Sequence, residues 1–229
     1  MTTSILDNVK VLKRLVILSF TVVVFSGFVP PSFTSFNIFA DDFEGTSGAD
    51  FLEGTEGDDN IETGEGDDTN TGREGNDNID SGDGDDLNVG DNYFGESDGG
   101  DDVINSGDGN DENHGDDYDG TGGGGDDIIN SGDGGDFNVG GGGDDIINSG
   151  DGNDENRGGS GNDIINSGKG NDENLGQEGN DKIKSGQGDD TLIGGPGADK
   201  FNCGKGEDTV TDFNPADGDK MSGNCKNKK

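Results

Sequence analysis

A chain of 229 residues in which only 24% are hydrophobic, 48 are glycine and none is tryptophan cannot fill the interior of an ordinary globular domain of that length. Its formal charge of −38 opposes compaction unless cations neutralise it. The same charge excludes nucleic acid and anionic membrane as partners, since both are held by basic surface.

Residues 1–40 are a separate material. Lys10, Lys13 and Arg14 precede an apolar run from Leu15 to Val29, and Pro30 and Pro31 then stop any helix. A basic segment followed by a short apolar one is the pattern of a secretory signal peptide. A full membrane span would want roughly 20 apolar residues. Ala40, with Ile38 two residues before it, is the expected cleavage point. The apolar spacer through Phe33, Phe36 and Phe39 keeps an uncleaved anchor as the alternative. The expected location is therefore secreted, extracellular or at the cell surface.

From Gly45 the chain is periodic. Aspartate recurs every nine residues at Asp50, Asp59, Asp68, Asp77 and Asp86, then at Asp102 and Asp111. It continues at Asp127, Asp136, Asp145, Asp154, Asp163, Asp172, Asp181, Asp190, Asp199 and Asp208. A short fixed period marks a stacked repeat fold. The repeated residue is a hard oxygen ligand, so each of these aspartates is a candidate metal ligand. In Gly158-Gly159-Ser160-Gly161-Asn162-Asp163-Ile164-Ile165-Asn166, six residues suit a glycine-rich turn and three a minimal strand. Two such units make an eighteen-residue coil. Turn carbonyls and the Asp carboxylate would then face one space, as calcium requires with its about six to eight oxygens.

Two interruptions share one size: Asp86 to Asp102 and Asp111 to Asp127 are each seven residues longer than the period. They carry the two tyrosines, Tyr93 and Tyr118, each among acids. Such paired loops suit either a ligand or extra cation site or tolerated surface insertions.

Basic residues are scarce between Asp41 and Gly168, where only Arg73 and Arg157 occur, and denser from Lys169 onward. The C-terminal end is thus the less repulsive one. Cys203 and Cys225 lie there, and an even count in an exported chain favours a disulfide.

These nonamers resemble the Gly-Gly-x-Gly-x-Asp-x-U-x repeats of the RTX calcium-binding family, from roughly Gly45 to Thr211. The resemblance implies an all-β, right-handed parallel β-roll of about nine coils. It also implies multiple Ca2+ ions held between stacked turns, with the sixth-position Asp as the side-chain ligand. The expected organisation is 1–40 signal peptide, 41–211 β-roll and 212–229 C-terminal cap with a basic tail. Asp208–Phe213, followed by Asp217 and Asp219, resembles the segment that closes many such rolls. Relatives often carry an enzyme or toxin upstream of the roll; between Ala40 and Gly45 none is expected.

The U position departs from the family. It alternates in the middle of the chain, as Ile79, Asn88, Ile104, Asn113, Ile129, Asn138, Ile147, Asn156, Ile165, Asn174 and Ile183. Either the Asn residues point inward and pair along a ladder, or their strands rotate and turn the flanking residues inward. On the favoured inward reading Leu87, Val89, Phe137, Val139, Val103, Ile128, Ile146 and Ile164 face outward, as a contact surface or as scattered strand formers. Either way the core is thin, and folding is expected to depend on calcium.

No catalytic constellation is legible. His114, the one imidazole, is expected to be exposed at a strand end, and no acid pair stands out from the others. The reading is a secreted, non-enzymatic calcium-binding protein with no small-molecule substrate, acting as a cell-surface or extracellular structural module. The alternative is adhesion through the outer faces and the Tyr93 and Tyr118 loops. An ice-binding array, which some RTX rolls form, lacks its Thr row here, since Asp108, Asp133, Asp151 and Lys169 stand in its place. An accessory subunit would require a partner chain.

Overall fold

A computed structural model describes residues 41–92, 99–117 and 124–227. The alternation of glycine-rich turns with strands, of which many run six residues, twice the expected three, gives in chain order β1 (Asp42–Glu44), β2 (Phe51–Glu53), β3 (Asn60–Glu65), β4 (Thr69–Thr71), β5 (Asn78–Asp83), β6 (Leu87–Val89), β7 (Val103–Asp108), β8 (Glu112–His114), β9 (Ile128–Asp133) and β10 (Phe137–Gly142). It continues with β11 (Ile146–Asp151), β12 (Glu155–Ser160), β13 (Ile164–Lys169), β14 (Glu173–Glu178), β15 (Lys182–Lys184), β16 (Thr191–Ile193), β17 (Lys200–Asn202), β18 (Thr209–Val210), β19 (Lys220–Ser222) and β20 (Lys226–Asn227). No helix occurs among the described residues.

Odd-numbered strands form one ten-stranded sheet and even-numbered strands the other. Every pairing is parallel, and Ile147 lies opposite Ile165, eighteen residues on. The fold is a parallel β-solenoid of ten coils, one more than the roughly nine counted from the repeats. The extra coil comes from the ends, because β1 begins ahead of Gly45 and β19 and β20 extend both sheets beyond Thr211. Each insert lengthens its coil to twenty-five residues without shifting the register, so Ile79 still pairs Ile104, and Ile104 pairs Ile129. Both inserts lie in connections from an even to an odd strand, in neighbouring coils. Their tips, with Tyr93 and Tyr118, and the leader segment 1–40 fall outside the described residues.

The interior is one column of side chains from each sheet. Ile61, Ile79, Ile104, Ile129, Ile147 and Ile165 come from the odd sheet, and none is accessible. Opposite them the Asn residues point inward, also inaccessible, as the favoured sequence reading has it. Asn70 Nδ2 donates to Asn88 Oδ1 at 2.9 Å, Asn88 to Asn113 at 3.0 Å, Asn113 to Asn138 at 3.0 Å, Asn138 to Asn156 at 2.9 Å and Asn156 to Asn174 at 3.0 Å. A buried amide is costly unless bonded, and here each rung completes the one beneath it.

A third inward column was not foreseen. Ser81, Ser106, Ser131, Ser149 and Ser167 stand fourth in β5, β7, β9, β11 and β13, Ser185 directly follows β15, and all six are fully buried. Their hydroxyls join the ladder: Asn88 Nδ2 donates to Ser81 Oγ at 3.0 Å, and Ser131 Oγ donates to Asn138 Oδ1 at 2.7 Å. Near the C-terminus the interior turns apolar, with Leu192, Phe201 and Val210. Phe201 meets the half-buried Phe213 edge-on at 6.5 Å, and Cys203 and Cys225 form a disulfide.

Two expectations about the outer faces are corrected. Val89 is fully buried although it stands on the outer side of the even sheet. Of the other seven apolar residues expected outside, only Ile128 is freely exposed, and the rest are half-buried. His114 is buried rather than exposed. It contacts Glu112 Oε1 at 3.2 Å and leans on the Phe137 ring, which Arg157 covers from 4.9 Å. These side chains pack across β8, β10 and β12 and so use surface that an open strand would leave free.

Candidate metal centres

A nine-residue period sends successive aspartates to opposite edges of the solenoid, and residues eighteen apart become neighbours in space. Along one edge run Asp59, Asp77, Asp102, Asp127, Asp145, Asp163, Asp181 and Asp199. Along the other run Asp50, Asp68, Asp86, Asp111, Asp136, Asp154, Asp172, Asp190 and Asp208. Apart from the half-buried Asp50, none is more than 4% exposed.

Each row is tied by one repeated bond: the backbone N–H of an aspartate donates to Oδ1 of the aspartate one coil further on. Asp77 N–H reaches Asp102 Oδ1 at 2.7 Å, Asp145 N–H reaches Asp163 Oδ1 at 3.0 Å, and Asp154 N–H reaches Asp172 Oδ1 at 3.0 Å. The second oxygen, Oδ2, is left without a hydrogen-bond donor at fifteen of the seventeen positions. The exceptions are the first two. Asp50 Oδ2 accepts from Thr46 N–H at 2.6 Å and Asp59 Oδ2 from Thr55 N–H at 2.5 Å, and each accepts from the same threonine's hydroxyl.

A buried, charged oxygen with no donor is a strong demand for a cation. On the first edge the glycine that opens each turn makes room for one. A Cβ added at Gly72 would collide with both Asp77 Oδ2 and the Gly90 carbonyl, and one at Gly90 with Asp102 Oδ2 and the Gly115 carbonyl. Carboxylate and carbonyl oxygens of adjacent coils therefore converge on the space a side chain would fill. Among the described residues no group of three or more His, Cys, Asp or Glu side chains could hold a metal. Backbone oxygens must complete each site, which suits a hard oxygen-seeking ion such as Ca2+ and not a nitrogen- or sulfur-seeking one.

Electrostatics agrees. Burial pushes Asp102 and Asp127 up to about 9, and Asp77, Asp136, Asp145, Asp172 and Asp181 up to about 7. The N–H bond on Oδ1 opposes this, and neighbouring carboxylates add to it. Without a cation these groups are driven to hold protons instead.

Sequence reading missed several members of the rows. Asp41 is nine residues before Asp50, and its N–H donates to Asp59 Oδ1 at 2.8 Å; the register alone could have found it. Asp219 takes the same role at the far end, accepting from Asp199 N–H at 3.0 Å, but stands two residues out of step. A further ladder runs outside both rows at the position before each aspartate. There Asn162 N–H donates to Asp144 Oδ1 at 2.7 Å and Asn171 N–H to Asn153 Oδ1 at 2.7 Å. It explains why that position is Asp or Asn in most turns.

The family model for the RTX calcium-binding nonapeptide repeat matches residues 37–69, 71–87, 139–173 and 175–210, together more than half of the chain. The stretch it passes over, 88–138, contains both inserts. No curated protein matches the chain.

Proposed function

The chain belongs to the RTX calcium-binding nonapeptide-repeat family, and from that premise we propose that it is an exported, non-enzymatic rod that folds when it binds calcium and serves as a cell-surface or extracellular structural module. That the repeats bind Ca2+ at multiple sites follows from the family; the location, the role and the absence of catalysis are our reading. The observation that carries it is the double row of buried Oδ2 atoms without donors. So many uncompensated carboxylates make the metal-free coil strained, and binding free energy becomes folding free energy. Extracellular calcium modules work at about 10⁻⁴–10⁻³ M. A chain tuned to that range stays open inside a cell, where calcium is scarce, and closes outside. In this reading the seventeen register aspartates supply the side-chain ligands, and 1–40 directs export.

Adhesion through the outer faces draws less support, because Val89 is buried and Phe137 is occupied by His114 and Arg157.

Far-UV circular dichroism during calcium titration tests the proposal, with magnesium as control. The expected result is a coil spectrum that turns to β with calcium alone. A full β spectrum in chelator would overturn it.

A further inference from the structure

Besides Asp219, which closes the first row, three buried aspartates lie outside the nonapeptide register. Asp91 follows Gly90 where the first insert leaves β6, and Asp116 and Asp117 follow Gly115 where the second leaves β8. Val89 and His114 are paired in register, so Asp91 and Asp116 stack one coil apart. The matching positions in the coils on either side are Arg73 and Gly141, so the acidic pair exists only where the inserts are.

Asp91 is inaccessible, Asp117 is 2% exposed and Asp116 is 5% exposed. Asp91 and Asp116 hold the return of their own inserts in the same way. Gly100 N–H donates to Asp91 Oδ1 at 3.2 Å, and Gly125 N–H donates to Asp116 Oδ1 at 3.4 Å. Asp116 Oδ2 accepts from Gly142 N–H at 2.6 Å, and Asp117 Oδ1 accepts from Asn92 N–H at 3.1 Å. A Cβ at Gly141 would collide with the Asp116 carboxylate.

Asp91 Oδ2 is different: it is fully buried and has no donor. Asp116 is its charged neighbour, a second carboxylate close enough to raise its pKa. Among the described residues no Lys or Arg pairs with either. Two stacked carboxylates in a dry place repel unless something positive lies between them. Burial and the mutual repulsion push Asp91 up to about 7.

We infer that the starts of the two inserts together build an additional divalent-cation site beside the first-edge row at Asp102 and Asp127, in which the carboxylates of Asp91 and Asp116 are bridged by a hard cation. All its side-chain donors are oxygens, which selects calcium over zinc or copper. Two carboxylates from adjacent coils leave the remaining positions to carbonyls and water. The ion would lock the inserts to each other, which accounts for their equal length and shared Gly-Asp start.

Terbium(III), a calcium mimic, tests this through tyrosine-sensitised emission. Tyr93 and Tyr118 each follow one of the two acids by two residues, and the chain has no other tyrosine and no tryptophan. The full chain is compared with D91N/D116N, and bound calcium is counted by elemental analysis after dialysis. The double variant is expected to bind one calcium fewer, to keep the calcium-induced β spectrum and to lose at least fivefold in emission. If it does not fold, D91N alone serves, because Asn keeps the acceptor for Gly100 N–H. Unchanged stoichiometry and emission would overturn the site and leave the two carboxylates sharing a proton. Wild-type protein that binds no calcium at all would overturn the proposed function as well, so the two failures are distinct.

Discussion

Asp127 receives the backbone N–H of Asp102 on Oδ1 at 2.8 Å and holds Oδ2 buried with no donor. The first bond fixes the stacking of two coils; the second oxygen makes that stacking depend on what neutralises it. Structure and ligand demand thus come from one side chain.

That dependence has a sign in pH. In the metal-free fold, burial holds Asp102 and Asp127 near 9 and Asp77, Asp145 and Asp181 near 7, all above the usual carboxylate value. The folded state then binds more protons than the unfolded one, so its stability falls as pH rises. The contribution is fully present below about pH 4 and is lost by about pH 9. In chelator, the β signal at pH 5 is expected to exceed that at pH 8, and saturating calcium should reverse the order. Metal-free β content that rises with pH would contradict the assignment.

Asp163 separates the two jobs of the register aspartate. Asp163→Asn keeps the Oδ1 acceptor for Asp145 N–H, which lies at 3.0 Å, and removes the charge. It should weaken calcium-induced folding, moving the midpoint to higher calcium, yet make the metal-free fold more stable than wild type. Asp163→Ala loses the acceptor as well and leaves a buried N–H unpaired, at a cost of about 1–3 kcal/mol. Calcium midpoints and chelator melting curves of the three proteins check the order.

Much of this was legible because the period of the aspartates is the geometry of the coil. A step of nine fixes which residues share an edge, and eighteen fixes which ones touch. The inward Asn column could be weighed from Glu112, His114, Glu155 and Arg157, whose polar side chains made poor alternatives for the interior. What escaped notice lacked either the period or an obvious reason to be buried. Asp219 is two residues out of step. Ser81 and Ser106 read as turn residues, though their hydroxyls complete an interior network. Val89 and His114 obey the strand alternation and face outward, but alternation reports direction and not coverage.

The Asn ladder should show position-dependent tolerance. Asn138 Oδ1 accepts from Asn113 and Ser131, and its Nδ2 donates to Asn156. Asn138→Leu would strand the Asn113 and Ser131 donors on one side and take a donor from Asn156 Oδ1 on the other, costing about 2–4 kcal/mol. Asn70 ends the ladder, and its Oδ1 already has no partner. Asn70→Leu continues the apolar side chain of Leu52, which pairs with it, and shifts the unpaired acceptor from Asn70 to Asn88 without adding one, so its cost should be under about 1 kcal/mol. Chemical denaturation in saturating calcium measures both; equal losses would mean the amides are not coupled along the stack.

The disulfide acts where the coil has no neighbour beyond it. Cys203 is buried next to Phe201, and its bond to Cys225 spans 22 residues across β18 and β19, just ahead of β20. A loop of that length stabilises by about 3 kcal/mol through the unfolded state. In a repeat array each coil is supported only by the ones beside it, so the loss on reduction should stay near that end before it spreads. Hydrogen exchange in calcium, with and without reductant, is expected to show lost protection in β17 to β20 while Ile129, Ile147 and Ile165 remain protected. Uniform loss along the chain would mean that the C-terminal coil nucleates the entire rod. Reduction would then abolish calcium-induced folding instead of trimming its end.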